Sequence, residues 1–202
     1  MKITDLAQHL HQLRHNRSGR AVGSGMHVSE VWTAILESEN TSIDQIDVHI
    51  RALPRPVDGF FARLVIPGRP ELHDAAETEV AAVYVHDVLP QHWRDFIIVK
   101  EMMHCFTPMD GYCSTPEDAK LLLQALVKKG GRYTLNVAAD NAGIIAAAEV
   151  ILPHKTVESH FAQGLSMEEI AHRHGLHVEI VSEICRVDIM HLRKNGTLNG
   201  IT

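Results

Sequence analysis

Apolar positions along this chain alternate like strands between residues 46 and 88 and repeat like helices on either side. "IDVHIRAL" (46–53) sets Ile46, Val48 and Ile50 against Asp47, His49 and Arg51, the period of a half-buried strand. "PRPVDG" (54–59) has turn chemistry and ends in Asp58-Gly59. "FFARLVI" (60–66) then reads as a second strand and "EVAAVYVHDV" (79–88) as a third. Short strands following one another predict an antiparallel sheet.

Helical patterns flank this region. "TDLAQHLHQLRH" (4–15) spaces Leu6, Leu10 and Leu13 on one face behind Thr4 as N-cap. "EVWTAILES" follows Ser29, with Val31, Trp32, Ile35 and Leu36 together. After Pro90, the residues Trp93, Phe96, Ile97, Lys100, Met103 and His104 keep the i, i+3, i+4, i+7 rule. "TPEDAKLLLQALVKK" (115–129) has Thr115 as cap, Pro116 at its first turn and Gly130-Gly131 as its stop. "RYTLNVAADNAGIIAAAEVIL" (132–152) is a long apolar helix ended by Pro153, with Gly143 and Ala146-Ala147-Ala148 allowing close helix approach. Ser166 and Glu169 form an S-x-x-E capping box, Gly175 closes that helix, and "VEIVSEICRVDIMHLRK" (178–194) follows.

Strands first and helices after predict an α+β fold. The expected organisation is an N-terminal helix and flexible linker (1–28), a central domain (29–153) and a helical C-terminal extension (154–202). The linker "NRSGRAVGSG" (16–25) is rich in Gly, Ser and Arg. With Lys2, Arg14, Arg17 and Arg20 against Asp5, the first 28 residues read as a basic, solvated arm.

Composition narrows the classes. Of 202 residues, 45% are apolar and 22% charged, an ordinary globular balance. A formal charge of −6 gives no blanket attraction to nucleic acid or anionic lipid. Three cysteines, Cys105, Cys113 and Cys185, without CxxC spacing, argue against a disulfide framework or zinc ribbon. With no signal-peptide pattern and no apolar run long enough to span a bilayer, the expectation is a cytoplasmic protein of bacterial or phage type, with no membrane partner.

The chemistry concentrates in "DFIIVKEMMHCF" (95–106). Replacing Lys100 by His would make H-E-x-x-H, the helix of a zinc hydrolase. There, two imidazoles four residues apart share a face and the Glu serves the metal-bound water as base. Here Glu101 stands at the base position, His104 at the second ligand position and Lys100 at the first. An ammonium has no lone pair to give a metal. His86 and His92, just upstream, are candidate replacement ligands.

In its surroundings the segment resembles the zinc helix of the ImmA/IrrE-type metallopeptidase family. "RDFIIVKEMMHCF" is similar to the family's Arg-Phe-apolar approach into H-E-L-G-H. "DNAGIIAAAEVILP" (140–153) is similar to its later helix, and "LSMEEIAHRHGLHVEIVSEICRV" to its closing segment, with Arg186 at the usual arginine. "LPRPVDGFF" has the right character and order, and the resemblance covers roughly residues 30–192.

It implies a zincin-like fold over 29–153, with His104 and Asp140 as metal ligands and Glu101 as general base. Zinc is the implied cofactor. The chain departs from the pattern at Lys100, at Asp140 (one methylene shorter than the usual glutamate) and at Met103. Two protein ligands are fewer than the three of known catalytic zinc sites. The expectation is therefore a salt bridge from Lys100 to Asp140 or Glu101 in place of the metal.

Three functions follow. The first is a degenerate, non-hydrolytic member of the family acting through a protein partner, in keeping with the family's association with regulation. The second is an active zinc peptidase with an altered ligand set, cleaving a regulatory protein. The third is a DNA-binding regulator, since "SMEEIAHRHGLHVEIVSEI" also fits a helix-turn-helix. Nucleic acid is the less expected partner: residues 154–202 hold five Lys/Arg against six Asp/Glu, a poor surface for phosphates. A homodimer is compatible with all three.

Overall fold

The computed structural model describes residues 1–55, 57–66, 77–106 and 135–195, with the backbone alone for 135–141. The fold is α+β: a small mixed sheet and, among the described residues, eight α-helices. The expected helix at 115–129 and Cys113 lie outside the described residues.

The strands are β1 (Gln45–Arg51), β2 (Gly59–Ile66) and β3 (Thr78–His86), in the order β1-β3-β2. β2 runs antiparallel to β3, with Phe61 opposite Val83, but β1 runs parallel to β3, with Ile46 opposite Ala81. The expectation of an antiparallel sheet is corrected here. Alternation identifies strands and says nothing about which ones pair. The informative feature is "VAAV" in β3: Val80 to Val83 are all buried, as suits a central strand covered on both faces. β3 therefore slots between the first two strands.

The helices are α1 (Ile3–Ser18), α2 (Val28–Leu36), α3 (Gln91–Met102), α4 (Leu135–Ile151), α5 (His154–Ala162), α6 (Met167–His174), α7 (Val178–Ile184) and α8 (Val187–Asn195). A 3-10 turn, Met103–Phe106, continues α3. Helices α1 and α2 start a little earlier than Thr4 and Ser29 suggest. The backbone N–H of His27 donates to Glu30 Oε2 at 2.9 Å to open α2. The Ser166–Glu169 box forms as expected, and Gly175 closes α6 in the left-handed region at φ 67°. The expected single helix 178–194 breaks at Cys185-Arg186.

α4 is the spine of the molecule. Its Ala146, Ala147 and Ala148 are fully buried, and the missing side-chain bulk lets α1 and α3 pack closely against it. Ile3, Leu6 and Leu10 of α1 join the same core as Val157, Ile170, Val181 and Ile184 of the C-terminal helices.

Arg14 is fully buried and not part of a solvated arm. It donates to the carbonyls of Gly25 and Ala21, both at 2.8 Å, and to Ser24 Oγ at 2.9 Å. The glycine-rich segment expected to be a flexible linker is thereby pinned to α1. Burial lowers the guanidinium pKa, and the nearby carboxylate of Glu30, 3.9 Å away, opposes that shift.

A second buried arginine secures the other end. Arg193 of α8 donates to Glu149 Oε2 at 2.8 Å, to Ile184 O at 2.8 Å and to the carbonyl of Leu152. Glu149 also accepts from the backbone N–H of His154 at 3.0 Å and meets its Nδ1 at 2.7 Å. One carboxylate thus ties the end of α4 to the start of α5 and to α8.

Candidate functional site

The face of α3 turned inward carries Phe96, Val99 and Met102, as the apolar spacing requires. Lys100 and Glu101 are buried on the same helix, at 6% and 1% exposure. A buried carboxylate needs hydrogen bonds and a counter-charge. Lys100 supplies both: its Nζ lies 2.7 Å from Glu101 Oε1. The other oxygen, Oε2, lies 3.6 Å from His104 Nε2. The three side chains singled out in the sequence are therefore together.

Two glycines let the neighbouring elements close over them. A Cβ on Gly59, at the start of β2, would stand 3.1 Å from Glu101 Oε1 and 2.5 Å from Ile97 Cγ2. A Cβ on Gly143 of α4 would stand 3.3 Å from Lys100 O and 3.4 Å from His104 Nε2. Phe61 covers the imidazole from β2, with ring centroids 5.7 Å apart. Asp140 belongs to α4, three residues and about 4.5 Å of helix rise before Gly143. Its side chain lies outside the described residues.

The geometry departs from a zinc helix at two points. α3 ends at Met102, so His104 stands on the tighter 3-10 turn that often finishes a helix. At the first ligand position the donor is an ammonium already engaged with the carboxylate that would act as base. These residues do not fit a zinc ion held as in a hydrolase.

The other candidates go elsewhere. His86 contacts Asp87 Oδ1 at 3.1 Å and accepts from the N–H of Val88. Burial pushes the Cys105 thiol up to about 12, so it rests as a neutral thiol in the core. Arg186 is exposed and pairs with Glu183 and Asp188; Arg193 is the buried arginine of the tail. His92 points to the C-terminal helices, where its Nε2 meets Glu179 Oε2 at 2.8 Å.

Among the described residues, His92, His177 and Glu179 form a group of potential metal ligands, with one donor atom of each within 4.8 Å of the others. Sequence spacing gives no sign of it, since 85 residues separate the first two (177 − 92).

The helix-turn-helix segment packs one face of its second helix into the core. α7 has seven residues; Ile180, Val181 and Ile184 are buried, and Glu179 faces α3 through His92 and the indole N–H of Trp93. Among the described residues no helix is long and apolar enough to cross a membrane. No protein-family model matches the chain, and no curated protein matches it.

Proposed function

We propose that this chain is a metallopeptidase-like protein of the ImmA/IrrE type in which Lys100 has taken the place of the metal. It does not hydrolyse peptides, and it acts by binding a protein partner in a regulatory role. The observation that carries this reading is the buried 2.7 Å contact between Lys100 Nζ and Glu101 Oε1. A general base must be free to take a proton from water. Glu101 is turned inward and neutralised by its neighbour. The pair serves instead to hold α3 where β2 and α4 close over it.

The retained pairing of Glu101 with His104 favours the second reading, an active peptidase with an altered ligand set. The two separate on turnover. Purified chain incubated with casein, with and without added Zn²⁺, is expected to give no cleavage. Cleavage that Glu101→Gln abolishes would overturn the non-hydrolytic reading.

A further inference from the structure

The turn between α6 and α7 meets the first turn of α3 at a cluster unrelated to Lys100. His92 and His177 stack face to face, with ring centroids 3.8 Å apart and planes within 9°. Glu179 Oε2 lies 2.8 Å from His92 Nε2 and accepts from Trp93 Nε1 at 3.2 Å. His177 Nδ1 accepts the N–H of Glu179 at 3.3 Å, a long contact that costs little to release. The cluster borders a groove of about 480 Å³, lined by Trp32, Phe96, Ile180 and Asp95 as well as both histidines.

We propose that His92, His177 and Glu179 form a binding site for a divalent first-row transition-metal ion, with Zn²⁺ the fitting occupant. Two imidazoles and one carboxylate are a borderline-soft donor set, suited to Zn²⁺, Co²⁺ or Ni²⁺ and poor for Mg²⁺ or Ca²⁺. Donor atoms on a tetrahedral zinc ion stand about 3.3 Å apart, from bond lengths near 2.05 Å. The His92–Glu179 pair needs to open by only about half an ångström from 2.8 Å. The ion takes the place of the proton shared by that pair, which is released to solvent.

The donors come from half-exposed or exposed side chains on two elements, which leaves the stacked imidazoles room to swing out of parallel so that the lone pairs in their ring planes converge on one ion. Three protein ligands leave a fourth position for water, beside the groove. Bound metal would fasten α7 to α3 and so couple the C-terminal helices to the sheet-bearing part of the fold.

The test is calorimetric titration of the full chain with Zn²⁺, together with the visible spectrum of the Co²⁺ form. The variants are His92→Gln, His177→Asn and Glu179→Gln. Asn keeps a side-chain acceptor at the α7 N-cap, and Gln keeps a hydrogen-bond donor toward Glu179, so each is expected to fold; far-UV circular dichroism checks this. The parent should take up one ion per chain and show tetrahedral Co²⁺ bands. Each variant should bind about tenfold more weakly or worse, and His104→Ala should bind like the parent. No uptake, uptake unchanged in all four variants, or uptake lost only in His104→Ala would overturn the site. The last of these would contradict the proposed function as well, whereas the first two leave that reading untouched.

Discussion

Lys100 Nζ sits 2.7 Å from Oε1 of Glu101, its neighbour in the chain; both residues are buried, and β2 closes over the carboxylate at Gly59. Adjacent helical residues point about 100° apart, so the long side chains must bend toward each other to meet. Such a pair contributes little over an apolar one of the same shape, but breaking it strands a charge.

Lys100→Met should therefore destabilise the fold by about 3–5 kcal/mol. The double variant Lys100→Met/Glu101→Gln should recover part of that loss. Urea denaturation of the four species in a double-mutant cycle measures the coupling, and a coupling near zero would remove the pair from the account.

Gly59→Ala tests how closely β2 closes over the same carboxylate. The new methyl would meet Ile97 Cγ2 at 2.5 Å and the carbonyl of Tyr84 at 3.0 Å. Overpacking of this kind costs about 1–3 kcal/mol. A thermal melt of the variant should shift down; an unchanged melt would mean that the strand has room to move.

Arg193→Met should loosen the C-terminal helices. It removes the cation from buried Glu149 and two donors from the carbonyls of Ile184 and Leu152. A loss of about 3–5 kcal/mol is expected, with early proteolysis in residues 154–195 as its local signature.

Acid should destabilise the protein before its carboxylates titrate. Burial first, then the charge of Arg14, holds His11 down to about 4; burial, then His160, does the same for His174. Gly25 N–H donates to His174 Nδ1 at 3.0 Å, so the proton of His174 rests on Nε2 and is donated to His160 Nε2 at 2.8 Å. Protonating His174 would break the first of these contacts.

Unfolded, these imidazoles titrate near 6.5. Their folded pKa is depressed, so the stability they contribute is complete above 6.5 and is lost as pH falls toward about 4. Carboxylates held low by partners, such as Glu169 and Glu179, add their loss only below about 4.5. Unfolding free energies from urea titrations between pH 7 and pH 4.5 should fall with a slope of about two protons or more, since burial also holds His160 down, and His174→Asn should remove at least about one of them.

Much of the fold is legible in the chain because apolar spacing and capping chemistry act locally. The Ser166–Glu169 box, the end of α4 before Pro153 and the inward face of α3 all follow from that. Strand order is not local. Nothing in the alternation of Ile46, Val48 and Ile50 says that β3 will lie beside β1 in parallel, though the unbroken run Val80–Val83 marks β3 as the central strand. Arg14 and Arg193 mislead for the opposite reason. A charged residue reads as solvated until its hydrogen-bond partners, here backbone carbonyls brought up by distant turns, are in place.

At the candidate site, Lys100, Glu101 and His104 do converge, and the contact of Lys100 with Glu101 is one of the two pairings expected. The pairing with Asp140 rests on a side chain outside the described residues. The His92, His177 and Glu179 cluster leaves no trace in spacing, because packing of α7 on α3 creates it.

On the proposed reading Lys100 stands where a zinc ion would sit in a hydrolase, and the most direct measurement is zinc content after Lys100→His. It is best made in a His92→Gln background, which silences the proposed second site. The parent in that background should carry no zinc at the Lys100 site, and the Lys100→His variant should gain one ion per chain that His104→Ala then removes. Stoichiometric zinc in the parent background, lost on His104→Ala, would contradict the account.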